Sequence, residues 1–164
     1  MEVIENNKPV LGAPANSQFS ILNSQFRKSE RIVSQKLIEE LFTGGQSHSL
    51  TAFPLRAVYL LREKPCSSVA TGDLRERPCS TVAKIQLLLS VPKRRFKHAV
   101  DRNRVKRQLR EAFRKNKQVL ADAVPDGLYV ALAFIWLSDQ HELTANVEKR
   151  VVSLLHRIAD KMML

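Results

Sequence analysis

The chain has 164 residues and carries 27 Lys or Arg against 16 Asp or Glu, a formal net charge of +11. So positive a balance points to an anionic partner, nucleic acid first and an acidic membrane surface second. A hydrophobic fraction of 44% excludes a wholly disordered basic protein, and no apolar run approaches the ~20 residues of a membrane-spanning helix.

Residues 1–25 mix Asn, Ser, Pro and apolar residues without a period and read as a mobile tail. They hold no basic stretch followed by an apolar core, so no secretory signal is read and the cytoplasm is the expected compartment. Residues 26–164 read as one domain. Ser34 caps a short helix carrying Leu37, Ile38, Leu41 and Phe42, which Gly44 and Gly45 end. Val33 and Ile38 take the positions of a hydrophobic staple.

Residues 53–61 are rich in strand formers, with Leu55, Ala57, Tyr59 and Leu61 on one face and Arg56, Val58 and Leu60 on the other. An arginine in mid-strand beside apolar neighbours suits a sheet whose open face meets RNA. Tyr59 is either core or rim, because the pattern leaves the register open. An enlarged loop follows at 62–80. In it Pro65-Cys66-Ser67-Ser68-Val69-Ala70 returns as Pro78-Cys79-Ser80-Thr81-Val82-Ala83, a short tandem duplication whose added length costs little. Cys66 and Cys79 lack metal-ligand spacing and read as free loop thiols. Residues 81–91 form the clearest strand. Ala83, Ile85, Leu87, Leu89 and Val91 make an apolar face, and Leu88 stands among Lys84, Gln86 and Ser90 on the other. The strand runs into a basic arm, Lys93-Arg94-Arg95-Phe96-Lys97.

Asp101 is read as the N-cap of the next helix. Stepping at about 100° per residue, Val105, Leu109, Ala112 and Phe113 share one narrow arc. Lys106, Lys117, Arg110, Asn103, Arg114 and Arg107 fill the arc beside it, a cationic strip continuous with the arm. Arg102 and Arg104 then stand in the first turn, where the helix dipole makes each cost roughly a few tenths of a kcal/mol. A polyanion accounts for them; stability does not. Glu111 is read as the i,i+4 partner of Arg107 and Lys115. Pro125-Asp126-Gly127 makes a turn. Residues 128–137 read as a strand buried on both faces, with Trp136 in the core. Thr144 caps a final amphipathic helix through Val147, Val151, Leu154, Leu155 and Ile158. The order α-β-β-(short β)-α-β-α is a small α/β (α+β) two-layer sandwich.

The run Ala99-Val100-x-Arg102-Asn103-Arg104-Val105-Lys106-Arg107-x-x-Arg110-Glu111-x-Phe113-Arg114 resembles the Arg-Asn-Arg signature of the bacterial ribonuclease P protein subunit. The resemblance is ungapped there and extends, more weakly, from roughly residue 26 to the C-terminus. It implies the same element order, with a left-handed βαβ crossover around the signature helix where the general rule gives a right-handed one. It also implies a chain without catalytic residues. The catalytic RNA, using Mg2+ held mainly by RNA, removes the 5′ leader of precursor tRNA, while the protein binds both RNAs. The RNA-facing residues would be Lys93, Arg94, Arg95, Lys97, Arg102, Asn103, Arg104, Lys106, Arg107, Arg110 and Arg114. Asn103, the neutral member, suits a base edge, a 2′-OH or a hydrated metal. Aromatic residues on the family's first helix help line a leader cleft. Phe42 matches one of them, and Ile38 departs from the other and offers apolar contact only; Arg56 and Tyr59 complete the leader-cleft candidates. Phe96-Lys97-His98 stands where family members often carry a glycine-containing turn, a departure in the local backbone path.

No self-sufficient active site emerges beside this resemblance. The carboxylates are dispersed, the four histidines are isolated, and there is no Gly-rich phosphate loop. The competing reading is a structural RNA-binding protein such as a ribosome-associated factor. A DNA reader is weaker, since no second helix lies at helix-turn-helix spacing. No membrane contact or obligate protein partner is expected.

Overall fold

The computed structural model describes residues 25–64 and 83–163. The expected tail up to residue 24, the duplicated loop segment and both cysteines lie outside the described residues. After a short 3-10 turn at Lys28–Glu30 come α1 (Gln35–Thr43), β1 (His48–Ala52), β2 (Leu55–Glu63), β3 (Ile85–Ser90), α2 (Ala99–Ala123), β4 (Leu128–Trp136) and α3 (Thr144–Met163). The sequence of element types is the expected one, but the additional short strand is β1, ahead of the strand expected at 53–61. Leu50 is its one buried residue, and half-buried Ala52 is its one other apolar residue, so the hydrophobic pattern is too short to reveal it. Pro54, which has no N–H to give a ladder, makes the β1–β2 turn.

The four strands lie in the order β1-β2-β4-β3. β2 is antiparallel to both β1 and β4, and β3 runs parallel to β4, with α2 as the crossover between them. One face buries Leu55, Ala57, Tyr59, Leu87, Leu132, Phe134 and Trp136 against α2 and α3. The other buries Val58, Leu60, Tyr129, Ala131 and Ala133 against Leu37 and Leu41 of α1. β4 is thus apolar throughout because both of its faces are covered. Phe113 meets Phe134 edge to face at 6.4 Å and Phe26 at 6.0 Å, drawing the segment before α1 into the core. Arg31 bridges to Leu87 and covers part of the outer edge of β3.

Ser34 caps α1, its hydroxyl accepting from the Leu37 N–H at 3.5 Å. Gly45 leaves that helix at φ +68°, and Gly127 turns into β4 at φ +88°, backbone that favours glycine. The hydrophobic staple is absent: Val33 is 79% exposed, and its neighbour Ile32 is the buried residue. Asp101 is no N-cap either. The helix begins at Ala99 after an extended, uncapped His98, which makes Asp101 its third residue, where a carboxylate suits the dipole. There it meets His141 Nε2 at 3.1 Å. The hydroxyl of Thr144 accepts from Gln108 Nε2 at 3.0 Å, so it ties α3 to α2.

Candidate nucleic-acid interface

The register places the functional residues at one end of the sheet. Thr51, Arg56, Ile135 and Ser90 are direct partners across the four strands, and direct partners share a face. α1 covers the residues beyond this row, while Thr51 and Arg56 stay exposed and Ile135 and Ser90 are half-buried. The arm follows Ser90 directly and leads into α2, so arm and signature helix start from the same end.

Phe96 explains how the arm departs from a glycine turn. Its ring is buried and stacks on His141 at 4.7 Å, anchoring the loop with a side chain. Arg102 finishes the fastening: its Nη1 donates to the carbonyls of Phe96 at 2.9 Å and Lys97 at 2.6 Å. The anchored arm holds Lys93, Arg94 and Lys97 in solvent and Arg95 half-buried.

The strip on α2 divides in two. Towards the N-terminus, Asn103, Arg104 and Arg107 are exposed and Lys106 is half-buried; among the described residues, Arg104, Lys106 and Arg107 have no carboxylate partner. Arg110 is half-buried, and its shielded Nε finds no acceptor among the described residues. Further along, the cations are engaged. Glu111 does not pair with Arg107 or Lys115, as the i,i+4 spacing suggested. It takes Arg114 at 2.7 and 2.9 Å, while Lys115 reaches Glu148 of α3 at 3.5 Å. The hydrogen bond from Arg114 holds the Glu111 carboxyl below its usual range; partial burial opposes this and the charges of Arg114 and Lys115 add to it. The same pair pushes Arg114 up. Lys117 leaves the strip altogether. It is buried and donates to Glu30 Oε1 and, at 2.7 Å, to the Gln25 carbonyl. A wheel drawn for α2 alone cannot show that the chain around residue 30 lies against it.

On the opposite sheet face α1 packs Leu37 and Leu41 on the sheet, and the surface along its flank is the candidate leader cleft. Glu40 on one flank of α1 binds Arg62, at the Glu63 end of β2, at 2.9 Å. Ile38 and Phe42 lie roughly 160° around the helix and so look towards the Arg56 end. Ile38, Leu88 and Ile135 are partly buried against the apolar floor, and Phe42 is 45% exposed. Arg56 Nη2 donates to Ser49 Oγ at 3.3 Å, which steadies it over this face. Tyr59 does not join them. It lies on the other face, 4% exposed, against α2 and α3, and burial pushes its hydroxyl pKa up. Leu88 and Ile135 take its place in the cleft. Leu88, out of step on a polar strand face, was the available signal for one of them; Ile135 was hidden inside a continuous apolar run.

Cations crowded at one sheet end, beside a cleft with an apolar floor, define an α+β protein built to bind nucleic acid. Among the described residues no group of three or more His, Cys, Asp or Glu could hold a metal ion. The family model for ribonuclease P matches residues 26–158, and the chain belongs to that family. A ribonuclease P protein component from Porphyromonas gingivalis is 35% identical over 133 residues, 80% of this chain and 85% of the relative. One from Chlorobium phaeobacteroides is 27% identical over 145 residues, 82% and 88% of the two chains. The Staphylococcus aureus RNase P protein superposes with a TM-score of 0.53 at 18% identity, covering 79% of this chain and 94% of that one. The Thermotoga maritima protein gives 0.53 at 20%, covering 78% and 96%; both share the fold. The chain is accordingly the protein subunit of a ribonucleoprotein endoribonuclease in which RNA performs the catalysis.

Proposed function

We propose that this subunit joins the catalytic RNA to the 5′ leader of precursor tRNA, the arm and the first half of α2 docking the RNA subunit and the α1 cleft taking the leader. The observation that carries this reading is that free cations and cleft open at the same end of the sheet. One molecule can therefore touch a folded RNA and a single strand beside it. The cleft suits unpaired nucleotides, with apolar contact from Ile38, Leu88 and Ile135, a ring from Phe42 and a phosphate partner in Arg56. The strip suits backbone phosphates, which need charge and little shape. Mg2+, bound mainly by RNA phosphates, supplies the activated water and charge neutralisation of the cleavage step. Such an ion keeps much of its water shell, and the exposed amide of Asn103 could hydrogen-bond a shell of that kind. The cytoplasm is the compartment we assign.

The test is reconstitution. Purified protein should leave precursor tRNA uncut alone and restore cleavage by the catalytic RNA at low Mg2+. Cleavage by the protein without RNA would overturn this reading. Co-purification of ribosomal RNA in place of the catalytic RNA would overturn it too.

A further inference from the structure

We propose a second RNA-contact surface, where α3 meets the β1–β2 turn, that seats an unpaired nucleotide of the RNA subunit: Phe53 stacks the base, and Lys149 and Arg150 hold the phosphates beside it. This rests on the RNA-binding reading above and extends it to a surface outside the strip and the cleft. Among the described residues, Phe42 and Phe53 are the two exposed large aromatic side chains. Phe42 belongs to the α1 cleft. Phe53, 63% exposed, belongs neither to the cleft nor to the core.

Phe53 and Pro54 instead form one wall of a groove of about 400 Å³ whose other wall is Asn146, Lys149 and Arg150 of α3. Glu142 is the acid in the groove. Its carboxylate accepts from Asn146 Nδ2 at 3.4 Å, and among the described residues it pairs with neither cation. Lys149 and Arg150 are exposed. Arg157, two turns beyond Arg150 on the same helix flank, donates to the Thr51 carbonyl at 3.2 Å and fixes that flank against β1. The acid Glu148 points the other way, to Lys115. An exposed ring facing two cations that have no acidic partner among the described residues is the arrangement single-stranded nucleic acid uses, the ring for any base face and the cations for the backbone.

Continuity selects the RNA subunit over the leader. A second groove is lined by Asn103, Arg104 and Arg107 of the strip together with Thr144, the first residue of α3. Lys149 lies five residues on, about 8 Å along the helix axis and about 140° around it, on the side of α3 turned away from its buried residues. A strand following the strip thus reaches Phe53 by passing over the outward side of α3. The leader cleft opens on the far face of the sheet.

The experiment measures affinity of the full chain for the ribonuclease P RNA across a salt series, with Phe53→Leu, Phe53→Trp and the pair Lys149→Gln with Arg150→Gln. Phe53→Leu keeps an apolar side chain but no ring, and should weaken binding about fivefold or more with the salt slope unchanged. The glutamine pair should lower that slope by about 1.4–1.8. Phe53→Trp should bind like wild type, with its emission quenched by RNA over the constant background of buried Trp136. Variants that all bind as wild type does, with no quenching, overturn this surface and leave the proposed function standing. Intact affinity for the RNA subunit, with lost discrimination between precursor and mature tRNA in Phe53→Leu, also overturns it, since the groove would then serve the leader. A wild-type chain that fails to bind the RNA brings down both.

Discussion

The two arginines of the signature should behave oppositely under substitution. Arg102 gives Nη1 to the carbonyls of Phe96 and Lys97, the first bond shielded and the second in solvent. Charge-assisted bonds of this kind contribute roughly 1.5–3 kcal/mol when shielded and less when exposed. Arg102→Gln should therefore cost about 1–3 kcal/mol, or roughly 3–10 °C in Tm. Arg104 is exposed with no carboxylate partner among the described residues. Arg104→Gln should stay within ~0.5 kcal/mol of wild type, yet lower the slope of log affinity against log salt by about 0.7–0.9. Adding Arg107→Gln doubles the change. Between about 50 and 200 mM salt the double variant should then lose roughly 7- to 12-fold less affinity than wild type does. Thermal melts followed by circular dichroism and filter binding of the ribonuclease P RNA measure the two quantities separately. A low Tm for Arg104→Gln, or an unchanged Tm with a reduced slope for Arg102→Gln, would refute this division of labour.

Three further outcomes follow from single contacts. Lys117→Met leaves the Glu30 carboxylate largely buried without its partner and should cost about 3–5 kcal/mol; a chemical-denaturation double-mutant cycle with Glu30→Gln should recover much of that loss. Phe42→Ala, at an exposed position, should spare Tm but reduce preference for precursor over mature tRNA about fivefold or more. Tyr59 has a folded pKa raised by burial, so its contribution to stability is complete below the ordinary value near 10 and declines as pH rises from there through the folded value. Tyr59→Phe should flatten stability against pH in that alkaline range, as denaturation from pH 9 to 12 would show.

Where the sequence could be read and where it could not follows from the range of each interaction. The apolar arc of α2 is a local pattern, and Val105, Leu109, Ala112 and Phe113 are all buried as a wheel requires. The Ser34 cap spans three residues and forms. Lys117 leaves the arc that its spacing assigns because its partners, Glu30 and Gln25, are about ninety residues away along the chain, and no periodicity carries that distance. Tyr59 sits one residue from each of two buried neighbours, Val58 and Leu60; with both sheet faces covered in mid-strand, alternation alone cannot say which face is the cleft. β1 is hidden in the sequence because an edge strand with one buried side chain carries almost no hydrophobic signal.

The acids are placed unevenly along α2. In the second half of α2, Arg114, Lys115 and Lys117 meet Glu111, Glu148 and Glu30. In the first half the lone acid, Asp101, is taken by His141, and among the described residues Arg104, Lys106, Arg107 and the cations of the arm have no acidic partner. Selection for stability alone would have spread the acids over both halves, because crowded like charges repel and weaken the compact state. A polyanion reverses that cost when it binds, and linkage makes the reversal measurable. Saturation at about 100 times Kd should stabilise the fold by about 2.7 kcal/mol, a rise of several degrees in Tm at low salt. The gain should shrink as salt rises, following the fall in affinity. A shift that survives molar salt, or one produced equally by a neutral polymer, would show that charge is not what the first half of α2 offers its partner.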